Sequence, residues 1–473
     1  MGSFGAFGST TPFAEPLWYS RTDNPNYTDS HRRLRQAIRH YVDTEIVPFV
    51  SEWEEKGAVP PNALKRHSDL GYTAVSLDPS ALGRHLPETT TLPGDVAPNE
   101  WDSFHDLIAM DEMARCGSLG TIWALGCGNS IGCPPVIQFG TEEQKSKWLP
   151  PVVRGEARFC LGCTEPQDVE SGQLITLLLA GSDVAGIVTT AEQKGDVFVV
   201  NGMKKWVTNG MTADYCTAVV RTGGPGKDGI SVLVIPLDSK GVTRSEIRNS
   251  GVELSGKIET LNVVTNVKYK NLLINGFKGC ATLGFENVEV PTKNIVGELN
   301  RGFRLIMTCF NHERLWIASN CLRLARVCVE DAYQHAITRH TFGKPLIERQ
   351  VIRLKFANIG MQVTSTYALI ESLVQLCNRT RLQGGDEAGT PIGGLCALTK
   401  VNAARALELA VRECQQIMGA LGYTRGGPGD RIERISRDMR VLVIGGGSDE
   451  ILSEMCLMQE SKDLQKIMSS TRT

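Results

Sequence analysis

The chain has 473 residues, of which 50 are basic and 52 acidic, so its formal net charge is −2. A chain of this length has room for two or three domains with a substantial core. The near-neutral charge excludes a global field that would recruit nucleic acid or a membrane surface, so any anionic ligand has to be held by local groups.

The cysteines do not form a metal-binding pattern. Cys160 and Cys163 have the Cys-x-x-Cys spacing, but no second pair or closely spaced histidines lie near them. Scattered cysteines in a long chain are typical of reduced thiols in an intracellular compartment. The most apolar run, Leu174–Ala180, is too short to span a bilayer. The N-terminus lacks the patterns of a secretory signal and of a transit peptide, and the C-terminus is not the simple peroxisomal tripeptide. We therefore expect an intracellular protein without a metal or a membrane span, and the sequence does not distinguish between cytoplasm, peroxisome and mitochondrion.

Residues 1–28 are rich in small residues, proline and aromatic side chains, which predicts an N-terminal arm over the surface. From Ser30 to Trp53, apolar residues recur at helical spacing and indicate an amphipathic helix. The pattern predicts a helical domain over residues 29–157. Its further predicted elements are helices at Asn62–Leu70, Glu100–Arg115 and Thr141–Leu149, and a loop at Pro79–Pro98.

The pattern changes near Arg158 and predicts a β-domain over residues 158–296. Asn201-Gly202 separates two of its β-rich runs, and Asn-Gly between such runs is a strong hairpin signal. The predicted strands are Phe159–Cys163, Gly186–Thr190, Asp196–Val200, Met203–Thr208, Thr217–Arg221 and Ile230–Pro236.

Long helical patterns return near Gly297 and predict a C-terminal four-helix bundle over residues 297–473. The last helix begins with Ser448 as its N-cap and two acidic residues in its first turn. The fold class is therefore α+β and multidomain, with an N-terminal helical domain, a central β-barrel-like domain and the bundle. The predicted bundle helices are Arg301–Arg339, Arg349–Leu382, Ile392–Met418 and Ser448–Met468.

One carboxylate in the first bundle helix departs from the surface pattern. Residues three and four positions away on a helix are neighbours on its surface, and for Glu313 these are Cys309, Phe310, Trp316 and Ile317. A carboxylate among such neighbours should face the interior, where desolvation raises its pKa and suits it to proton transfer. The alternative is a structural ion pair with an Arg or Lys of a neighbouring element, which on pattern alone is the commoner case.

Several motifs at predicted strand ends and in the bundle are individually no more than turn signals. In combination and in this order they resemble the acyl-CoA dehydrogenase superfamily, and the resemblance extends from about Ser30 to Met468. The motifs are Phe139–Lys145, Thr164-Glu165-Pro166, Ala180-Gly181-Ser182-Asp183, Lys205–Gly210, Arg339–Lys344 with Gln350, Gln416–Tyr423 and Arg437-Asp438.

The resemblance implies a flavoprotein of fatty acid metabolism that binds FAD and an acyl-CoA substrate. Family residues that match Cys163 and Thr164 hydrogen-bond the pyrimidine side of the flavin, and those that match Trp206 and Thr208 cover its ring near N5. Ser182 matches a residue on the CoA side of the cleft. The substrate assignments implied by the family pattern are Ser182 and Arg314.

The resemblance also implies a homo-oligomer, either a dimer or a tetramer, because family residues that match Arg339 and Gln416 reach the FAD of a neighbouring subunit. A planar guanidinium suits a bidentate grip on pyrophosphate oxygens. The implied electron acceptor is an electron-transfer flavoprotein or O₂. The other residues that the motifs assign to the cofactor are Phe342, Gln350, Gly419 and Ser448.

In the family reaction, a base removes the proton α to the thioester carbonyl while flavin N5 accepts hydride from the β carbon. Many members carry the base near the C-terminus, at the position where this chain has Gly446. Members of the isovaleryl and long-chain type place it on the bundle helix, where this chain has Glu313-Arg314-Leu315. We therefore assign Glu313 as the base and Gly446 as the residue whose backbone N–H is available to the thioester oxygen.

Other functions remain open. An acyl-CoA oxidase of the same fold would return its electrons to O₂. A nitroalkane-oxidising relative is disfavoured, because that chemistry uses an Asp at the position of Gly446. A non-catalytic homologue kept as a binding or scaffold subunit would be consistent with an interrupted flavin loop.

That interruption is one of two segments, 167–179 and 257–279, without a counterpart in the family pattern. The first carries the run Leu-Ile-Thr-Leu-Leu-Leu-Ala, which would crowd the flavin loop. The second could extend from the edge of the β-domain at little entropic cost. Without them, the flanking residues join into uninterrupted family motifs. We hypothesise that both segments are translated intron sequence or parts of a mispredicted gene model.

Sequencing of transcripts across both junctions tests this hypothesis. We expect mature transcripts that lack the codons for both segments. Reads that retain both would refute it.

Overall fold

The structure is a computed structural model that describes residues 7–21, 24–166, 183–252, 280–382 and 392–470. The predicted α+β architecture is confirmed, since helices are followed by a sheet and then by a second set of helices. The segments 167–179 and 257–279 lie outside the described residues. Among the described residues, none of the helices combines the length with the apolar character that a membrane crossing requires.

The N-terminal region is helical. The predicted helix Ser30–Trp53 is broken into two, because Pro48 has no backbone N–H to donate and lies in a short 3-10 turn between them. The helices are α1 (Asp29–Tyr41), α2 (Val50–Lys56), α3 (Pro61–Asp69), α4 (Tyr72–Val75), α5 (Pro79–Leu82), α6 (Ser103–Ala114), α7 (Leu119–Ile122), α8 (Gly128–Gly132), α9 (Pro134–Phe139) and α10 (Glu142–Val153).

In its described residues, 7–21 and 24–28, the N-terminal arm packs into the molecule and is not draped over its surface. Trp18, Tyr19 and Tyr27 are all buried. Trp18 stacks on Tyr27 with ring centroids 3.8 Å apart, and its indole N–H donates to the hydroxyl of Tyr367 in the bundle at 3.3 Å. The arm therefore joins the N-terminal helices to the bundle.

A buried cluster of charges makes the same connection. Arg323 of the first bundle helix pairs with Glu15 of the arm at 2.8 Å and with both Asp111 and Glu112 of α6. Arg39 of α1 pairs with Glu15 and with Glu112, each at 2.7 Å. Charges removed from water are stable only when they are paired. The cluster therefore fixes the arm, α1 and α6 against the bundle.

The central region is an eight-stranded sheet in the order β6-β7-β3-β2-β4-β5-β8, with β1 parallel to β4. One face of the sheet is packed with buried side chains such as Val200, Val207 and Leu233. The strands are β1 (Phe159–Gly162), β2 (Thr190–Lys194), β3 (Val197–Thr208), β4 (Tyr215–Arg221), β5 (Ile230–Pro236), β6 (Val242–Ile247), β7 (Cys280–Pro291) and β8 (Ile295–Val296).

The predicted hairpin at Asn201-Gly202 is wrong. Both flanking runs belong to the single strand β3, whose pairing with β7 shifts register between Val200 and Gly202. Gly202 has a φ of +140°, so glycine here serves a bulge. The turn that joins β2 to β3 lies at Gly195, with a φ of +61°, and Asp196.

The strand predicted at Gly186–Thr190 begins only at Thr190. The residues before it are bound elsewhere, because the backbone N–H groups of Val188 and Thr189 donate to the Glu165 carboxylate at 2.7 and 2.9 Å. The sequence analysis does not predict β6, β7 or β8. Strand β6 lies at the edge of the sheet and has a largely exposed side-chain pattern.

The C-terminal region contains the four predicted long helices and one that the sequence analysis does not predict, α14. Helices α11 and α13 run in the same direction, since Lys400 lies near Cys321 and Cys414 lies near Cys328. The elements are α11 (Gly302–Thr338), the short strands β9 (His340–Thr341) and β10 (Lys344–Pro345), α12 (Gln350–Leu382), α13 (Gly393–Met418), α14 (Asp430–Ile444) and α15 (Asp449–Ser470).

Replacing Arg323 with Met tests the buried charge cluster. The change leaves three buried carboxylates without their central cation, so we expect a loss of about 3–5 kcal/mol in the free energy of unfolding and a clearly lower melting temperature. The control Arg66→Met removes an exposed pair with Glu45 at 3.0 Å and should change the melting temperature little. Equal effects of the two variants would contradict the role given to the cluster.

Candidate active site

Glu313 lies on α11 near three thiols, two of which come from other parts of the chain. Its carboxylate is close enough to raise the pKa of three thiols: Cys127 before α8, Cys163 after β1 and Cys309 on α11 itself. Burial is the larger cause of each of these shifts, and it keeps the thiols neutral. The side chain of Glu313 therefore faces the interior, where N-terminal helices, sheet and bundle meet.

Burial raises the pKa of Glu313 to about 7, while Arg314 and Lys400 act in the opposite direction. Glu313 forms no ion pair within the described part of the chain, because both cations bind backbone carbonyls instead. Arg314 Nε donates to the carbonyl of Gly446 at 3.1 Å, and Lys400 Nζ donates to two carbonyls at the same turn. The structural ion pair considered from the sequence is therefore absent among these residues, and the carboxyl can exchange a proton near neutral pH.

Gly446 lies against the helix that carries Glu313. Its φ is +70°, and a Cβ atom built on it would be 2.8 Å from Cδ1 of Ile317 and 3.7 Å from Cγ of Arg314. A side chain at this position would therefore collide with α11 one turn beyond Glu313. Residue 446 therefore cannot carry a side chain while the turn packs this closely against α11.

The loop after β1 is fixed to β3 by its backbone and by a buried ion pair. The carbonyl of Thr164 accepts the N–H of Lys205 at 2.8 Å, and the carbonyl of Cys163 accepts from Lys204 Nζ at 3.2 Å. The ammonium of Lys204 is fully buried and pairs with Glu165 at 2.7 Å. The sequence analysis missed this pair. The signal that could have revealed it is the presence of an acidic residue, Glu165, in one motif of the β-domain and a lysine, Lys204, directly before the other.

Trp206 is held at the surface by an unusual backbone. Its φ of +60° is in the left-handed region, which bulky residues rarely occupy. The pairing of β3 with β7 shifts register between Lys204 and Val207, and 51% of Trp206 is exposed. Thr208 is buried, with its hydroxyl 4.0 Å from Sγ of Cys280. Strained backbone conformations are found most often at functional sites. The exposed indole of Trp206 offers a surface on which a flat aromatic group can stack.

A cavity of about 60 Å³ lies between α6, the segment before α8, and α11. One water needs only about 10–15 Å³. The cavity adjoins Glu313, since Cys127 lines it and also lies within reach of the Glu313 charge. A second cavity of about 40 Å³ shares Asp106, Met110 and His312 with the first. Together they provide a partly apolar space beside the carboxylate.

A second group of predicted site residues lies at the other end of α11. Helix α11 ends at Thr338, and the rise of about 1.5 Å per residue places this end roughly 38 Å from Glu313. Within one subunit, the structure therefore does not bring these residues to the carboxylate. They are all exposed, and Phe342 has 96% of its surface in contact with solvent. The group consists of Arg339, Phe342 and Gln350 around β9 and β10, and of Gln416 and Gly419 at the end of α13.

Three predicted site residues remain to be placed. Ser448 precedes α15 and accepts the backbone N–H of Leu452 at 3.0 Å through its carbonyl, two residues after Gly446. Ser182 lies outside the described residues. Arg314, predicted to contact substrate, has its guanidinium on Gly446 and, at 3.4 Å, on Asn311.

Among the described residues, His31, Asp102 and His105 place three possible metal ligands close together. His31 Nε2 and His105 Nδ1 lie 2.9 and 2.8 Å from Asp102 Oδ1. Their other ring nitrogens contact the hydroxyls of Thr28 at 2.8 Å and Ser30 at 3.1 Å. Asp102 is also the N-cap of α6. Capping interactions account for all three side chains.

Comparison with known proteins gives consistent matches along the chain. Models of the acyl-CoA dehydrogenase N-terminal, middle and C-terminal domains match residues 28–156, 175–263 and 300–459. The chain is 58% identical over 463 residues to acyl-CoA dehydrogenase AFT10-1 of Alternaria alternata, covering 98% of this chain and 99% of that protein. It is 34% identical over 458 residues to acyl-CoA dehydrogenase apdG of Emericella nidulans, covering 95% of each.

A solved structure gives the same result for the fold. The crystal structure of a probable acyl-CoA dehydrogenase from Mycobacterium abscessus is 30% identical in sequence. It superposes with a TM-score of 0.74 and covers 91% of this chain and 99% of its own.

Glu313→Gln tests the desolvation of the carboxylate without any ligand. The pKa of Glu313 in the folded protein, about 7, lies above its ordinary value of 4.5. The contribution of Glu313 to the free energy of unfolding therefore falls as pH rises from about 4.5 to 7. The neutral amide of the Glu313→Gln variant has no such pH dependence. We expect the variant to melt about 1–3 °C above the wild type at pH 8, with a smaller difference at pH 5. The matched change Glu192→Gln on the exposed strand β2 should give no pH-dependent difference, and a constant difference for Glu313→Gln would contradict the assignment.

Proposed function

This chain belongs to the acyl-CoA dehydrogenase family, and from that premise we propose that it catalyses the FAD-dependent α,β-dehydrogenation of an acyl-CoA thioester with Glu313 as the base. The observation that carries the proposal is the desolvated carboxyl of Glu313. It lies between the loop after β1 and the cavity beside α6, and burial brings its pKa close to neutrality. A general base works best when its pKa is near the operating pH.

The residues present fit FAD. Trp206 offers an exposed indole for a flat ring, Thr208 a hydroxyl beside it, and Cys163 and Thr164 a fixed backbone at the end of β1. Bound FAD would supply the acceptor, flavin N5, for hydride from the β carbon. In this assignment the indole of Trp206 covers the ring, and the loop of Cys163 and Thr164 hydrogen-bonds its pyrimidine side.

Glu313 takes the proton from the α carbon onto its carboxylate. Negative charge then develops on the thioester oxygen, and in this proposal the backbone N–H of Gly446, whose backbone lies next to α11, donates to it. The cavity at Met110, Cys127 and Trp316 receives the acyl chain. Glu313 is half-buried, and its partial removal from water makes the carboxylate more basic than a fully solvated glutamate.

A homo-oligomer is part of the proposal. Arg339 and Phe342 lie roughly 38 Å along α11 from Glu313, so Arg339 can grip a pyrophosphate only at another subunit's site. The exposure of Phe342, 96%, and of Tyr423, 87%, at the ends of the parallel helices α11 and α13 also supports contact with a second copy. A dimer and a tetramer both satisfy this arrangement. The electron acceptor is an electron-transfer flavoprotein, with O₂ as the alternative.

The test is anaerobic mixing of the purified, FAD-loaded enzyme with straight and branched acyl-CoAs while flavin absorbance is followed. We expect Glu313→Gln to retain FAD and to lose at least about 100-fold in the rate of flavin reduction. In the wild type the rate should rise with pH through about 7, because the base must be ionised. Near-normal bleaching of the flavin by Glu313→Gln would exclude this base.

Two further variants control the experiment. Glu450→Gln removes the exposed carboxylate in the first turn of α15, close in sequence to Gly446, and should reduce its flavin at the wild-type rate. Arg339→Met should lose FAD although Glu313 is intact. Oxygen consumption during turnover would identify an oxidase. A colourless wild-type protein that gains no flavin on reconstitution would indicate a non-catalytic homologue.

A further inference from the structure

A buried lysine on α13 holds the turn between α14 and α15. The side chain of Lys400 is fully buried. Its ammonium donates to the carbonyl of Val443, near the end of α14, and to the carbonyl of Gly447 at 2.9 Å. The last carbonyls of a helix have no partner within it and carry the negative end of its dipole. A single ammonium therefore closes this turn from both sides.

The turn itself has little stiffness of its own. Its three central residues are glycines, and two of them, Gly446 and Gly447, have φ values of +70° and +115°. Glycine loses more conformational freedom on folding than any other residue. Arg314 from α11 holds the carbonyl between the two that Lys400 binds, at 3.1 Å. Two cations thus fix three carbonyls of a flexible segment beside the candidate base.

The position of Lys400 also gives it an electrostatic role. Burial lowers the pKa of Lys400, and Cys321, Asp449 and Glu313 are close enough to act against this shift. Within the described residues, Lys400 forms no ion pair. The charge of Lys400 therefore reaches Glu313 as well as the turn.

We propose that Lys400 is a positioning residue for the reaction at Glu313: it fixes the turn that presents Gly446, and its charge favours the ionised form of Glu313. This inference rests on the proposed function for its catalytic meaning. The titratable and charged groups that face Glu313 are Arg314 and Cys309 on its own helix, Lys400 on α13, Cys127 before α8 and Cys163 after β1.

The first readout needs no substrate. The gain in melting temperature caused by Glu313→Gln is measured from pH 4 to 9, in the wild-type background and in Lys400→Met. Methionine keeps much of the side-chain volume and removes the charge. We expect the midpoint of this pH dependence to move up by about one pH unit in Lys400→Met. The control background is Arg412→Met. Arg412 is an exposed cation on α13 with 80% of its side chain accessible, so its removal should leave the midpoint in place.

The second readout is the pH profile of flavin reduction in the loaded enzyme, with the most reactive of a C4 to C12 acyl-CoA panel. In Lys400→Met we expect the acid limb to move up by about one pH unit, which is roughly a five-fold loss at pH 7. The plateau at high pH should also fall, because the turn is no longer fixed. Lys400→Arg keeps the positive charge but replaces the ammonium, which binds two carbonyls at once, with a planar guanidinium. It should therefore lower the rate plateau at high pH without moving the acid limb of the profile.

An unmoved midpoint in Lys400→Met would overturn the electrostatic part of the proposal. A wild-type plateau in Lys400→Arg would overturn the positioning part, and this comparison remains available if Lys400→Met does not fold. A panel that reduces no flavin would contradict the proposed function, while the thermal readout would still report on Lys400 and Glu313.

Discussion

A charge that is removed from water has to be paired or neutralised, and helix α11 contains both outcomes. Arg323 is surrounded by acids from the arm and from α6, so its charge holds three parts of the chain together. Glu313, on the same helix, has two cations nearby, but Lys400 donates to backbone carbonyls, and Arg314 donates to the carbonyl of Gly446 and to Oδ1 of Asn311. Its carboxyl can therefore become neutral by binding a proton, in keeping with its raised pKa. Among the described residues, the same helix thus carries a charge held by ion pairs at its centre and a carboxyl without an ion pair towards its start.

The geometry of the α14–α15 turn explains how the carboxylate can come from α11. A side chain at Gly446 would meet Ile317 at 2.8 Å, so the turn and the helix cannot both project groups into this volume. Glycine lets the backbone approach α11 closely, and the space that remains is filled by the helix's own side chains. The same approach brings the carbonyl of Gly446 within reach of Arg314. The packing of the turn and the packing of α11 therefore depend on each other.

The sequence predicted what local periodicity controls. The long helices and the inward orientation of Glu313 follow from apolar spacing, and the order of β-rich runs indicated a sheet. What it missed depends on partners far along the chain. The Asn201-Gly202 signal was read as a hairpin because turns and bulges both need glycine at positive φ, and only the pairing partner β7 distinguishes them. The pair of Glu165 with Lys204, and the insertion of Trp18 beneath α12, are likewise contacts that no local window contains.

We infer that burial raises the pKa of Glu313 to about 7 in the folded protein. Infrared difference spectroscopy across a pH series, with Glu313→Gln as the reference for assignment, measures this directly through the C=O stretch of a protonated carboxyl. In the wild type we expect a C=O band that disappears as pH rises through about 7. The same band should be missing from Glu313→Gln. A Glu313 that is already fully ionised at pH 5 would contradict this inference.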